Sequence, residues 1–201
     1  MQPAKPKTRG FTMGIVTMDK NDVTNYSVTE HMRDQRQITI RAVRPDDRKL
    51  VIKSLPRLGA ISIYRRFFSA KSGLTDDDLR SFTEVDFVSV VQLCAVLEDK
   101  GEDWIIAGGR YIRSGVFGTR QRAEIAFMVG DPVQGQGIGS LLFRHLTVIA
   151  LASGIVEFEA EVLPTNAAMF RVFEKSGYPV SMSATRECVH LIMDLTGGAS
   201  P

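Results

Sequence analysis

The feature that most constrains this chain is a run of alternating glycines, Gly135, Gly137 and Gly139, set between a strand pattern and a helix pattern. Upstream, Ala123-Glu124-Ile125-Ala126-Phe127-Met128-Val129 is apolar except for Glu124, and Gly130-Asp131-Pro132 breaks it off. Downstream, Leu141 to Ala150 is an apolar run long enough for a helix. A strand, a glycine-rich turn and a helix in that order build an anion site. The helix start offers unpaired backbone N–H groups and the positive end of its dipole, and glycine lets the backbone come close to a phosphate. A Walker A loop is excluded, because Ser140 and Leu141 follow the last glycine where that motif needs Lys and then Ser or Thr. The dinucleotide fingerprint fits poorly as well: the glycines alternate, and the loop lies deep in the chain rather than at a first βα turn.

A second segment follows in the same style. Val156 to Leu163 alternates as a strand does, Pro164-Thr165-Asn166 is turn chemistry ending in a good helix N-cap, and Ala167 to Lys175 has apolar residues at helical spacing. Ser176-Gly177-Tyr178 stops that helix, with Gly177 placed as a left-handed cap.

The pattern Gln134-x-x-Gly137-x-Gly139, on a strand carrying an acidic residue, resembles the pyrophosphate loop of the GNAT superfamily of acetyltransferases. The string from Asn166 to Tyr178 is similar to the same family's next helix, in which an Asn near the start touches the cofactor arm. The resemblance implies acetyl-CoA as co-substrate, held by Gln134, Gly135, Gln136, Gly137, Ile138, Gly139, Ser140 and Asn166. It also implies a bulge at Phe127, Met128 and Val129 that turns the Val129 N–H toward the thioester oxygen as an oxyanion donor. Glu124 matches the position of a general base, a role made necessary because a lysine amine is protonated near neutral pH. Its apolar strand leads to the expectation of a desolvated carboxylate. Phe173 stands where many members of the family carry a tyrosine acid, so the thiolate is expected to leave and take its proton from water. Tyr178 reads as packing.

The rest of the chain supplies a fold class. Ile38 to Val43 is an alternating strand; Arg44-Pro45-Asp46-Asp47 starts a helical stretch running to about Phe68, broken at Pro56 and Gly59. Ser72 to Leu79 caps a short helix whose three aspartates suit its N-terminus, and Val90–Leu97 with Trp104–Arg113 reads as a hairpin. With a last strand from Cys188 to Leu195, the order gives a mixed α/β sheet; the resemblance implies that it is mostly antiparallel, splayed at the acetyl-CoA site and flanked by helices. Arg44-Pro-Asp-Asp, Leu74-Thr-Asp-Asp-Asp-Leu and Phe82-Thr-Glu-Val-Asp-Phe look like the bacterial Pat-type protein lysine acetyltransferases. That implies a protein lysine as acceptor, such as that of an acyl-CoA synthetase. A small amine, or acyl-CoA sensing without catalysis, stays open on residue types alone. Tyr64, Arg65 and Arg66 belong to the acceptor side in this layout, with Asp86, Glu157, Glu159 and Glu161 as further acidic candidates there.

A chain of 201 residues with 44% hydrophobic residues suits one core plus a tail. The expected division is a flexible polar segment over 1–36, the acetyltransferase domain over 37–196 and a short tail over 197–201. The first segment carries six basic against four acidic side chains, a formal +2 equal to that of the whole chain. The rest is therefore near neutral, which argues against a nucleic-acid face. Whether that segment packs on a second copy in a homodimer is left open. The absence of a long apolar run or a secretory pattern gives an expectation of a cytoplasmic protein off the membrane. Cys94 and Cys188 read as small buried residues and the three histidines are scattered, so no metal is expected.

Overall fold

A computed structural model of the chain describes residues 18–59, 74–117 and 120–197. In chain order these form α1 (Lys20–Thr24), β1 (Ser27–His31), β2 (Gln37–Ala42), a 3₁₀ turn at Pro45–Asp47, α2 (Arg48–Leu58) and α3 (Asp76–Thr83). Then come β3 (Val90–Asp99), β4 (Glu102–Phe117), β5 (Arg120–Val129), a 3₁₀ turn at Asp131–Val133, α4 (Ile138–Ala152), β6 (Glu157–Val162), α5 (Ala167–Glu174), β7 (Val180–Ala184) and β8 (Val189–Asp194).

The eight strands form one sheet in the order β1-β2-β3-β4-β5-β6-β8-β7. Every pairing is antiparallel except β5 with β6, which α4 connects as a crossover. The mixed, mostly antiparallel sheet flanked by helices is thus present as expected. The β3–β4 hairpin closes through Lys100 and Gly101, both at positive φ (57° and 78°), the backbone a tight two-residue hairpin requires. Thr75 and Asp78 close a reciprocal capping box on α3, and Arg48 pairs with Asp76. The aspartate triplet is therefore helix-start chemistry. Asp86 is likewise occupied, accepting from the N–H groups of Val88, Ser89 and Val90 at 2.8–3.0 Å. Burial works to raise its pKa, but those donors outweigh it and hold the carboxyl below the usual range.

Alternation on β4 and β5 divides the core between two faces. Tyr111, Ile125 and Phe127 turn toward α4, whose Leu142, Phe143, Leu146 and Ile149 are buried. Phe143 is the hub, with its ring 6.0 Å from Phe173, 6.1 Å from Phe158 and 6.3 Å from Phe127. Such aromatic pairs add ~0.5–1.5 kcal/mol each beyond their buried area. The opposite face is covered by α2 over β3 and β4, where Ser54 Oγ accepts from the Ile105 N–H at 2.9 Å. Phe173 is fully buried in this core, and Tyr178 packs on Phe143 at 6.2 Å.

Three expectations change. Residues 27–31, placed above in a flexible segment over 1–36, form β1, in register with β2 from Ser27↔Arg41 to His31↔Gln37. The strand was hidden because it is an edge: its residues alternate only between exposed and half-buried, so polar residues fill it. β7, also an edge and mostly exposed, was missed for the same reason. Cys188 is half-exposed in the turn before β8, whereas burial pushes the Cys94 thiol up to about 12. Pro56 lies inside α2 and does not break it, whereas the break at Gly59 is real: α2 ends at Leu58, and Gly59 has φ 83° with Asp131 packed where a Cβ would stand. The expected continuation through Tyr64, Arg65, Arg66 and Phe68 lies outside the described residues.

Candidate functional site

The glycine loop lies at the open end of the sheet. β5 pairs with β6 only from Arg122↔Glu157 to Glu124↔Glu159; beyond that the two parallel strands part. The Phe127–Val129 segment therefore borders a cleft instead of a neighbouring strand. The expected bulge there is absent: the β4–β5 register runs unshifted from Ile112↔Glu124 to Ala107↔Val129, and its irregularity falls at Arg113/Gly115. The splay comes from where the β5–β6 ladder stops. The Gly130 N–H bonds the Ile106 carbonyl at 2.9 Å, so strict alternation turns the Phe127 and Val129 N–H groups to the β6 side, toward the cleft.

Gly135 (φ 78°) and Gly137 (φ 86°) are both left-handed, and Gly137 is the N-cap of α4. Among the described residues no side chain caps that helix, which leaves its first-turn N–H groups suited to donate to an anion. At Gly139 an added Cβ would come within 3.3 Å of Val172 Cγ2, which explains how closely the first turn of α4 approaches α5. The cleft encloses about 940 Å³ of space, counting what is open to solvent. Its walls include Phe127, Met128, Val129, Gln134, Gly135, Gly137, Ile138, Gly139, Ser140 and Asn166. Thus the loop, the end of β5 and the start of α5, far apart in sequence, do meet. Gln136 turns outward instead: its side-chain Oε1 accepts from the Asp34 N–H at 3.2 Å and its carbonyl from the Arg33 N–H at 3.1 Å. Asn166 caps α5, with Oδ1 accepting from the Met169 N–H at 3.4 Å.

Arg33, Arg171 and Lys175 also line this cleft, and no carboxylate does so among the described residues. Sequence reasoning missed all three. Arg171 and Lys175 were findable, since with Ala168 and Val172 they keep helical spacing on the face that Asn166 opens. Arg33 was not, because it arrives from the β1–β2 turn. Glycine cradle, helix start and cations suit a pyrophosphate carrying further phosphate. Among the described residues no group of three or more His, Cys, Asp or Glu is placed to hold a metal ion, and no helix is long and apolar enough to cross a membrane.

Glu124 borders a smaller cavity in the splay, together with Phe127, Glu161, Asn166 and Met169. Phe127, Asn166 and Met169 are shared with the larger cleft, so the two adjoin. The side chain of Glu124 is exposed, contrary to the expected desolvation. Its neighbours Ala123 and Ile125 are buried under α4, and alternation sends Glu124 to the face that α2 leaves uncovered. Beside it Glu157 pairs with Arg122 at 2.8 Å, and Glu159 lies 3.4 Å from Arg122 and 3.7 Å from His190. Glu161 is exposed at the cleft edge. Arg110, one row from Glu124 on β4, is half-buried; burial lowers its pKa and the Glu124 charge acts against that.

Comparison with known proteins agrees with this geometry. Residues 60–178 match the model of the acetyltransferase (GNAT) family. The chain is 34% identical over 138 residues to the acetyltransferase Pat of Mycolicibacterium smegmatis, an alignment covering 69% of this chain and 40% of that protein. The matched stretch is therefore two fifths of the length of that relative. The structure of the GNAT domain of S. lividans PAT superposes with a TM-score of 0.74 at 33% identity, covering 84% of this chain and 96% of that one. The fold is shared also with yncA of Salmonella typhimurium, solved with its cofactor acetyl-CoA, at a TM-score of 0.60 and 19% identity over 82% and 97% of the two chains. The likeness to Pat-type enzymes read from the sequence is borne out.

Proposed function

The chain belongs to the acetyltransferase (GNAT) family, and on that footing we propose that it moves acetyl from acetyl-CoA to the side-chain amine of a protein lysine. The observation that carries the reading is that the glycine-loop cleft adjoins the splay that holds Glu124, with Phe127, Asn166 and Met169 as common wall. The pyrophosphate lies on the Gln134–Ser140 loop and the α4 start, with Arg33, Arg171 and Lys175 countering its charge. The pantetheine arm then runs past Asn166 into the splay and brings the thioester to Met128 and Val129. A protein acceptor is favoured by the likeness to enzymes named Pat.

The chemistry needs the lysine neutral. Glu124 takes a proton from the ammonium, directly or through one water, and the amine attacks the thioester carbonyl. Negative charge gathers on that oxygen, where the Val129 N–H is directed. Collapse breaks the C–S bond and forms the amide, and the second proton of the attacking nitrogen passes through water to the departing coenzyme A thiolate, because the position of a tyrosine acid is filled by buried Phe173. Exposure of Glu124 keeps its proton exchange with solvent open.

The test is thiol release from acetyl-CoA across a panel of acceptors: a bacterial acyl-CoA synthetase, a lysine peptide, a polyamine and amino acids. Release with the synthetase, accompanied by acetylation of one of its lysines, is expected. Turnover with small amines alone would replace the protein acceptor, and tight acetyl-CoA binding with no turnover on any acceptor would replace catalysis by sensing.

A further inference from the structure

Met128 belongs to two cavities. Besides the cofactor cleft it lines a chamber of about 670 Å³, counted in the same way, between α2 and the sheet. Val51, Leu55, Phe82, Ile105 and Ala126 make its walls mainly apolar. The chamber opens beside Met128 because the next residue across the sheet, Gly108, has no side chain; Met128, Gly108 and Cys94 form one row through β5, β4 and β3.

Neither packing nor backbone geometry requires glycine at 108. Among the described residues a Cβ there would meet nothing nearer than the Leu93 carbonyl oxygen at 3.6 Å, an ordinary contact, and its φ is not in the left-handed region. Gly109 is the opposite case, since a Cβ there would stand 2.8 Å from Phe127 Cδ1. One glycine is needed by the core; the other leaves a void next to where the thioester carbonyl comes to rest. The polar end of the chamber is one row further on, at Gln92, Arg110 and Ala126, roughly 7 Å along the strands. Gln92 is buried, and its Oε1 and the Arg110 Nε have no hydrogen-bond partner among the described residues. A hydrocarbon cannot satisfy them, so they bound the apolar depth to a short chain.

We propose that this chamber receives the acyl chain of the donor, so that the protein accepts a four-carbon acyl group as well as acetyl. The proposal rests on the acetyl-CoA reading of the cleft and extends it. The rival occupant is the aliphatic stem of the acceptor lysine.

Binding in the absence of acceptor separates the two. Dissociation constants for coenzyme A, acetyl-CoA and butyryl-CoA are measured by calorimetry on the chain, on Gly108→Val, which fills the void from the sheet, and on Val51→Phe, which fills it from α2. Burying two further methylenes tightens butyryl-CoA over acetyl-CoA by roughly tenfold in the unsubstituted chain. Both substitutions are expected to abolish that preference while coenzyme A binds as before. Equal affinity for the two acyl-CoAs, or a butyryl preference that survives both substitutions, would overturn the proposal and leave the chamber to the acceptor. Failure to bind coenzyme A at all would overturn the acetyl-CoA reading along with it, so the two failures are distinguishable.

Discussion

Arg33 donates from Nη1 to the carbonyl oxygen of Gly135 at 2.9 Å, across 102 residues of chain. Two neighbouring bonds repeat the tie: the Arg33 N–H to the Gln136 carbonyl at 3.1 Å, and the Asp34 N–H to Gln136 Oε1 at 3.2 Å. A loop with two left-handed glycines is free in the unfolded chain and needs outside support to hold one shape. The β1–β2 turn provides it, and so connects the edge of the sheet to the anion cradle.

Arg33→Ala removes one bond to the loop and one cation from the cleft. With a hydrogen bond worth about 0.5–1.5 kcal/mol net, acetyl-CoA affinity is expected to fall by about 3- to 10-fold. The melting temperature changes little, because the side chain is exposed. Calorimetric titration beside a thermal melt checks both; unchanged affinity would remove Arg33 from the site.

Glu124→Gln keeps the shape and removes the carboxylate proposed as the base. Turnover with the acceptor found in the amine panel is expected to drop by roughly 100-fold or more, since general bases contribute factors of that order. Acetyl-CoA affinity is expected to stay the same, as Glu124 is not among the walls of the glycine-loop cleft. Steady-state rates and a binding isotherm test it, and near-normal turnover would refute the role.

Asp47 and Arg41 form a bidentate pair at 2.6 and 2.7 Å, with side chains only 6% and 12% exposed, and Asp47 also accepts from the Arg44 N–H at 2.8 Å. Asp47→Ala leaves a buried guanidinium without its partner. Loss of about 3–5 kcal/mol is expected in urea unfolding, a range typical of broken buried pairs. A loss below ~1 kcal/mol, the size found for surface pairs, would show the pair to be solvated in practice.

His145 on α4 sits between β1 and the helix, with Nδ1 2.6 Å from the Tyr26 hydroxyl and Nε2 3.1 Å from Glu30. Burial holds its imidazole below the ordinary range, the Arg144 charge adds to this, and Glu30 opposes it. The neutral ring accepts from Tyr26 and donates to Glu30. The unfolded chain takes the proton first as pH falls through about 6.5, so the folded state loses stability below that value and not above it. Melting temperature is therefore expected to fall more between about pH 7.5 and 5.5 in the unsubstituted chain than in His145→Gln. Parallel slopes would mean that this group carries no linkage.

Short-range signals were enough for a large part of this protein. The Gln134–Ser140 loop, the Asn166 cap, the hairpin at Lys100-Gly101 and the strand that carries Glu124 each depend on residues within a turn or two, so periodicity and turn chemistry reveal them. β1 and β7 were not legible, because an edge strand buries too little to impose an apolar alternation.

The sequence by itself determined that a glycine-rich loop follows a strand with one acidic residue, and that Asn166 opens the next helix. Only the tertiary structure decided that Arg33 reaches the loop, that Glu124 is exposed instead of desolvated, and that β5 and β6 part after Glu124↔Glu159. The division has one physical cause. Conformation along the chain is set by neighbours a few bonds away, whereas burial and ladder endings depend on which distant segments arrive to cover a face.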